Sequence, residues 1–172
     1  MKPFPLLFSL LALTFGSAQA ASPQDVQASV QQMQQAQNKL MQAMMLEKPS
    51  KLGFNETVEA LKKSAETRGW KIAGVFDAQE MMKKSGRDDA KPMKIVGMCH
   101  PSLAEAVLVA QQKAQMPPSL TCRYSVFEGQ DGKIYVMRFN TGLMAQLSNG
   151  EVATALANLA REEDAVLSTV LK

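Results

Sequence analysis

Histidine is almost missing from this sequence: His100 stands alone in 172 residues. Any site that takes two imidazoles from one chain is thereby excluded. Cysteine is nearly as scarce. Cys99 and Cys122 are the only two, too few for a disulfide-rich miniprotein or a four-thiolate zinc centre. There is no Lys/Arg block, and nineteen basic residues against sixteen acidic ones leave a formal charge of +3. That near-balance argues against nucleic acid as a partner. The common catalytic templates are absent too. Without Cys-x-x-Cys there is no thioredoxin-type centre, and without Cys-x-x-Cys-His no covalent c-type haem attachment. Gly-x-Ser-x-Gly, a phosphate-binding glycine loop and His-Glu-x-x-His are likewise missing.

What is present is the composition of an ordinary globular protein, 46% hydrophobic and 20% charged, with length for one domain. The first twenty residues have three parts. Lys2 gives a positive start, Phe4 to Phe15 is almost wholly apolar, and Ala18-Gln19-Ala20 has the small-x-small pattern of a signal peptidase site. This predicts a secretory signal whose apolar core is too short to span a bilayer, cleaved near Ala20/Ala21 to leave a periplasmic or secreted protein with no stable membrane anchor. No Cys follows the cleavage site, which argues against a lipoprotein.

Residues 22–40 are rich in Gln, and Val26, Val30, Met33 and Leu40 recur at helical spacing. The sequence is thus divided into a signal (1–20), a Gln-rich amphipathic helix (21–40) and a single domain (41–172). Met41 to Glu47 reads either as the helix continuing or as a short strand. Asn55 is a candidate N-cap for a helix carrying Val58, Leu61 and Ala65 and ending at Arg68-Gly69. Trp70–Phe76 and Pro92–Met98 read as strands. Asp77-Ala-Gln-Glu80 and Ser102-Leu-Ala-Glu105 read as capping boxes that open helices. Leu120–Glu128 and Lys133–Phe139 flank Gly129-Gln-Asp-Gly132 as a hairpin. A last helix spans Glu151 to Val170, with Glu162-Glu163-Asp164 on its solvated face. Helices alternating with strands predict an α/β (α+β) two-layer sandwich. Its mixed sheet has about four to five strands, with helices mainly on one face and an N-terminal helix ahead of it.

The chemistry-bearing stretch is Val96-Gly-Met-Cys-His-Pro101, where a strand gives way to a helix. Backbone N–H groups there lower the pKa of a nearby thiol. In an oxidising compartment an even Cys pair is first read as a disulfide, Cys99–Cys122. The alternatives are a soft-metal site for Cu(I) from Cys99, Cys122, Met98 and Met93, a haem binder, or a thiol-dependent redox enzyme. No cofactor is favoured, and no catalytic residue is specified. His100 and Arg123 are further site candidates. Twelve Met are scattered through the chain without tight Met-x-x-Met clusters and read as packing.

Glu47-Lys-Pro-Ser50, Phe54-Asn-Glu-Thr57, Gly69-Trp70, Cys99-His-Pro101, Cys122-Arg123, Gly132-Lys133 and Arg138-Phe-Asn140 follow in an order that resembles the bacterial family of unknown function DUF302. Gly142-Leu-Met144 and Glu162-Glu163 continue it. The resemblance covers about Met41 to Leu167. It implies a compact α/β domain that dimerises and shifts Met41–Glu47 towards a strand. It aligns Cys99 and Pro101 with the family's Cys-x-Pro motif, and Cys122 and Arg123 with its Pro-Cys-Arg motif. Thr121 stands where relatives carry the proline. The family brings no activity with it. The expected function is therefore an exported, non-catalytic binding module. It acts as a homodimer and takes a small ligand or a periplasmic protein partner near the two Cys.

Overall fold

The computed structural model describes residues 22–172. The expected signal segment and its cleavage site lie outside the described residues. Two compact units divide at Gln37/Asn38. Helix α1 (Pro23–Ala43) makes up the described part of the first and runs just into the second. Ser22 and Asp25 cap its start reciprocally, at 3.1 and 3.2 Å. Its stripe residues Val26, Val30 and Met33 are exposed. The ambiguous stretch after Leu40 is split, since the helix continues through Ala43 and strand β1 occupies Met45–Pro49.

The second unit continues with α2 (Phe54–Thr67), β2 (Lys71–Asp77), α3 (Ala78–Lys84), β3 (Met93–Cys99) and α4 (Pro101–Lys113). It ends with β4 (Arg123–Glu128), β5 (Ile134–Phe139), α5 (Thr141–Gln146) and α6 (Gly150–Leu167). Helix α2 begins earlier than Asn55 suggests. Gly53 is its N-cap, and the Glu56 carboxylate reaches back to accept from the Gly53 N–H at 3.1 Å. The Asp77 cap forms as expected, accepting from Glu80 N at 2.9 Å. The Ser102 box does not form. His100 is the cap residue of α4, and Pro101 follows it, a position where proline's missing N–H costs no hydrogen bond. The final helix is preceded by a separate short one, α5, capped by the Asn140 side chain accepting from Leu143 N at 3.0 Å.

The five strands lie in the order β1-β5-β4-β3-β2, and every neighbouring pair is antiparallel. The expected two-layer α+β architecture is therefore present, but with no parallel pair in the sheet. The reason is the path between β3 and β4. Helix α4 carries the chain away from the end of β3, and residues 114–122 bring it back to the same end, so β4 runs antiparallel instead of crossing over. The hairpin between β4 and β5 closes with Gly129 N donating to Lys133 O at 2.8 Å. Gly132 there has φ +75°, and a Cβ on Gly129 would stand 2.7 Å from the Tyr135 ring, so glycine is required at both.

Strand alternation sorts the sheet into two faces. Val96, Met98, Tyr124, Val126, Val136 and Arg138 share one face and are all buried. Leu61 and Ala65 of α2, Val107 of α4, and Leu156, Leu159 and Val166 of α6 pack with these residues in one core. The opposite face carries no buried side chain; its residues stay half-buried or exposed.

Candidate functional site

The β3–α4–β4 excursion starts and ends at one point, and the cysteines sit on either side of that neck. Cys99 and Cys122 are joined by a disulfide with their Cα atoms 5.1 Å apart. Met98 N donates to Cys122 O at 3.1 Å beside it. Among the remaining sequence candidates, Met98 is fully buried on the opposite face of β3 from Cys99. Met93 stands six positions back along the strand, roughly 20 Å away. The structure thus brings the two cysteines together but not the methionines. Among the described residues, no group of three or more His, Cys, Asp or Glu side chains is placed to hold a metal.

His100 packs edge-on against Trp70, their ring centroids 6.0 Å apart, and Trp70 in turn meets Tyr124 at 6.2 Å. His100 Nδ1 and Trp70 Nε1 are both buried without a hydrogen-bond partner. Arg123 is exposed on the open sheet face, opposite Gly97. It lies between two shallow hollows there. One, of about 430 Å³, is walled by Met45, Met137 and Phe139; the other, of about 600 Å³, by Phe76, Ile95 and Gly97.

The structure corrects one reading of the sequence: Glu163 is not on a solvated face. It is 2% exposed. Its carboxylate accepts from Tyr124 Oη at 2.8 Å and from Arg138 Nη1 at 2.6 Å. Arg138 is itself buried and reaches outward to the exposed Asp164 with its second nitrogen. Burial dominates and pushes the Glu163 carboxyl up, with Arg138 the strongest influence opposing it. Burial likewise pushes the Tyr124 phenol up, and the neighbouring Glu163 carboxylate adds to this. This cluster ties α6 to the middle of the sheet and is closed to solvent. A spacing signal marked it. Leu156, Leu159, Glu163, Val166 and Val170 repeat at three and four residues, so Glu163 occupies a core position of the stripe.

A further feature had no sequence signal. Helices α4, α5 and α6 and the segment 116–121 surround a partly open pocket of about 140 Å³. Val107, Leu120, Met144, Leu156 and Leu159 line it, with Thr141 among them. The Thr141 hydroxyl is buried close to the Glu163 cluster, yet it makes no hydrogen bond of ordinary geometry. Gln111 holds the enclosing segment. Its amide nitrogen donates to Ser119 O at 3.1 Å, and its amide oxygen accepts from Ser119 N at 2.9 Å.

Comparison with known proteins agrees with this geometry. The chain is similar to the crystal structure of an uncharacterised conserved DUF302 protein from Bacillus stearothermophilus, at 22% identity and a TM-score of 0.61. The match covers 73% of this chain and 97% of that one, and at such identity it speaks for the fold alone. A search of the curated proteins finds no match. The family described as "Domain of unknown function DUF302" matches residues 46–171, nearly the whole folded unit with both cysteines and the Arg138–Glu163 pair, and the chain belongs to it.

Proposed function

We propose that the protein is an exported, non-catalytic binding module that works as a homodimer, with Cys99–Cys122 as its structural disulfide. The observation that carries this reading is the open face of the sheet. Phe76, Ile95, Phe127, Met137, Phe139 and Met45 share its parity across all five strands. None of them is buried. A contiguous apolar face of this kind marks an interaction surface. Its occupant is a second copy. The face carries the anion Glu47 on β1, in register with Met137 and Ser125, and the cation Arg123 two residues along β4 from Ser125. A two-fold axis through the face sets each Arg123 towards the other copy's Glu47, as an isologous contact requires. Edge pairing is the lesser route, because Gly74 and the register shift beside it break the ladder of β2.

Light scattering on the purified protein tests this. The expected result is a dimer mass at micromolar concentration. Ile95→Lys should give a monomer of unchanged circular dichroism, and Arg123→Glu should weaken the dimer until Glu47→Arg restores it. A folded monomer in the unmodified protein would refute the dimer. Export is tested by the mass of the protein recovered from the periplasmic fraction, which should begin at Ala21.

A further inference from the structure

We infer that the cavity between α4, α5, α6 and residues 116–121 is a binding site for a small uncharged ring compound bearing one hydroxyl, of the size and chemistry of phenol. Size comes first. A space of about 150 Å³ accommodates a benzene-sized guest, and this partly open pocket has about 140 Å³. The walls come second. Val107, Leu120, Met144, Leu156 and Leu159 present hydrocarbon and thioether, and no charged side chain lines the space, so an ionic guest would be stranded without a partner. The third point is polar: Gln111, Ser119, Thr121 and Ser148 also line the space, but among its hydroxyls only that of Thr141 is buried without a partner. Thr141 Oγ1 is buried, 1% exposed as a residue, and has no hydrogen bond of ordinary geometry within the chain. A hydroxyl both donates and accepts, and leaving it unmade while buried is costly. A ligand hydroxyl that donates to Thr141 Oγ1 supplies a partner, and the Thr141 proton stays available to the nearby Glu163 carboxylate. Gln111 is held in place by one hydrogen bond from each of its amide atoms to Ser119.

Entry fits the same picture. The segment over the cavity has no regular secondary structure, and its Met116 and Leu120 are 44% and 37% exposed. Pro117-Pro118 leave it without backbone donors at two successive positions. The wall is held by the Gln111 clamp, by Met116 N donating to Gln111 O at 2.9 Å and, at its far end, by the Cys99–Cys122 bond.

The site rests on the binding-module reading but not on the dimer. Titration of the purified, oxidised protein with phenol and with benzene, followed by ligand-observed NMR, tests it. Both should bind saturably, phenol about fivefold more tightly for one net hydrogen bond. Thr141→Val, nearly the same shape, should erase the preference and keep benzene binding. Val152→Phe should fill the cavity and abolish both. If that variant loses its fold, Met144→Phe closes the space from its partly buried side. Absence of saturable binding by either compound in the folded protein overturns the proposal, as does a phenol preference that survives Thr141→Val. A monomer that binds phenol keeps this site and removes the dimer. A dimer that binds neither compound does the reverse.

Discussion

Replacing Arg138 by Met puts the buried cluster to a quantitative test. The guanidinium and the Glu163 carboxylate meet at 2.6 Å with side chains only 6% and 2% exposed. Removing one partner leaves a buried charge whose remaining hydrogen bond comes from Tyr124 at 2.8 Å. Breaking such a pair costs about 3–5 kcal/mol, against a total stability of about 5–15 kcal/mol for a domain. The outer contact to Asp164 contributes little of this, because Asp164 is 71% exposed. Asp164→Asn should therefore cost less than about 1 kcal/mol. Loss of Arg138 removes the strongest influence holding the Glu163 carboxyl down. The carboxyl then rises further and escapes the penalty by taking a proton, so Arg138→Met should be more costly at pH 8 than at pH 5.5. Urea unfolding at both values reads the difference. The combination Tyr124→Phe, Arg138→Met and Glu163→Leu removes every member of the inner cluster together. It should recover most of the loss, since well-packed apolar replacements of buried pairs are often neutral or better. A cost below about 1 kcal/mol for Arg138→Met at both pH values would refute the reasoning, as would a triple variant no more stable than the single one.

Three further outcomes are expected. Exchanging both Cys99 and Cys122 for Ser opens a loop whose ends are 23 residues apart and should lower stability by about 3 kcal/mol in urea unfolding under non-reducing conditions. Gly129→Ala places a methyl 2.7 Å from the Tyr135 ring and should cost about 1–3 kcal/mol, seen as a lower melting temperature. Glu163 has its pKa raised above the ordinary 4.5 in the folded protein. It therefore contributes stability that is complete below that value and is lost as pH rises through the raised one. Unfolding midpoints of Glu163→Gln should fall less steeply over that range than those of the unmodified protein, and parallel curves would show the assignment to be wrong.

Much of this architecture is legible from local pattern. The hairpin is written in Gly129-Gln-Asp-Gly132, the α3 cap in Asp77 and Glu80, and the cysteine pairing in the even count and strand-end positions of Cys99 and Cys122. Most of the misreadings share a physical origin, because they depend on what a segment meets far away; the start of α2 is a local exception. Asn55 is a good cap residue, but Glu56 reaching back to Gly53 starts the helix earlier. Alternating helices and strands suggest parallel pairs, and only the return of residues 114–122 to the neck makes β3 and β4 antiparallel. Glu163 sits on the stripe of α6 by spacing alone. Its charge argues for solvent until Arg138 and Tyr124, 25 and 39 residues away, are known to face it. The cavity has no periodic signature, since it is left between three helices and a segment that has no pattern.

The neck explains why the two cysteines stand where they do. A helix and its return segment inserted between neighbouring strands have no sheet hydrogen bonds of their own. Their orientation then depends on packing against α6 and on whatever fixes their two ends. The Cys99–Cys122 bond fixes both ends at once, and Gln111 pins Ser119 back onto α4 inside the closed loop. Within the closed loop lies one wall of the pocket, from Val107 to Thr121, and residues 139–159 supply the rest. The disulfide therefore touches the proposed ligand site through geometry, without supplying a reacting sulfur. Unfolded chains with and without the bond differ by a loop closure, whereas folded chains differ by how firmly one wall of the cavity is held. The second difference is the one that concerns binding, and it needs no thiolate, metal or redox partner to operate.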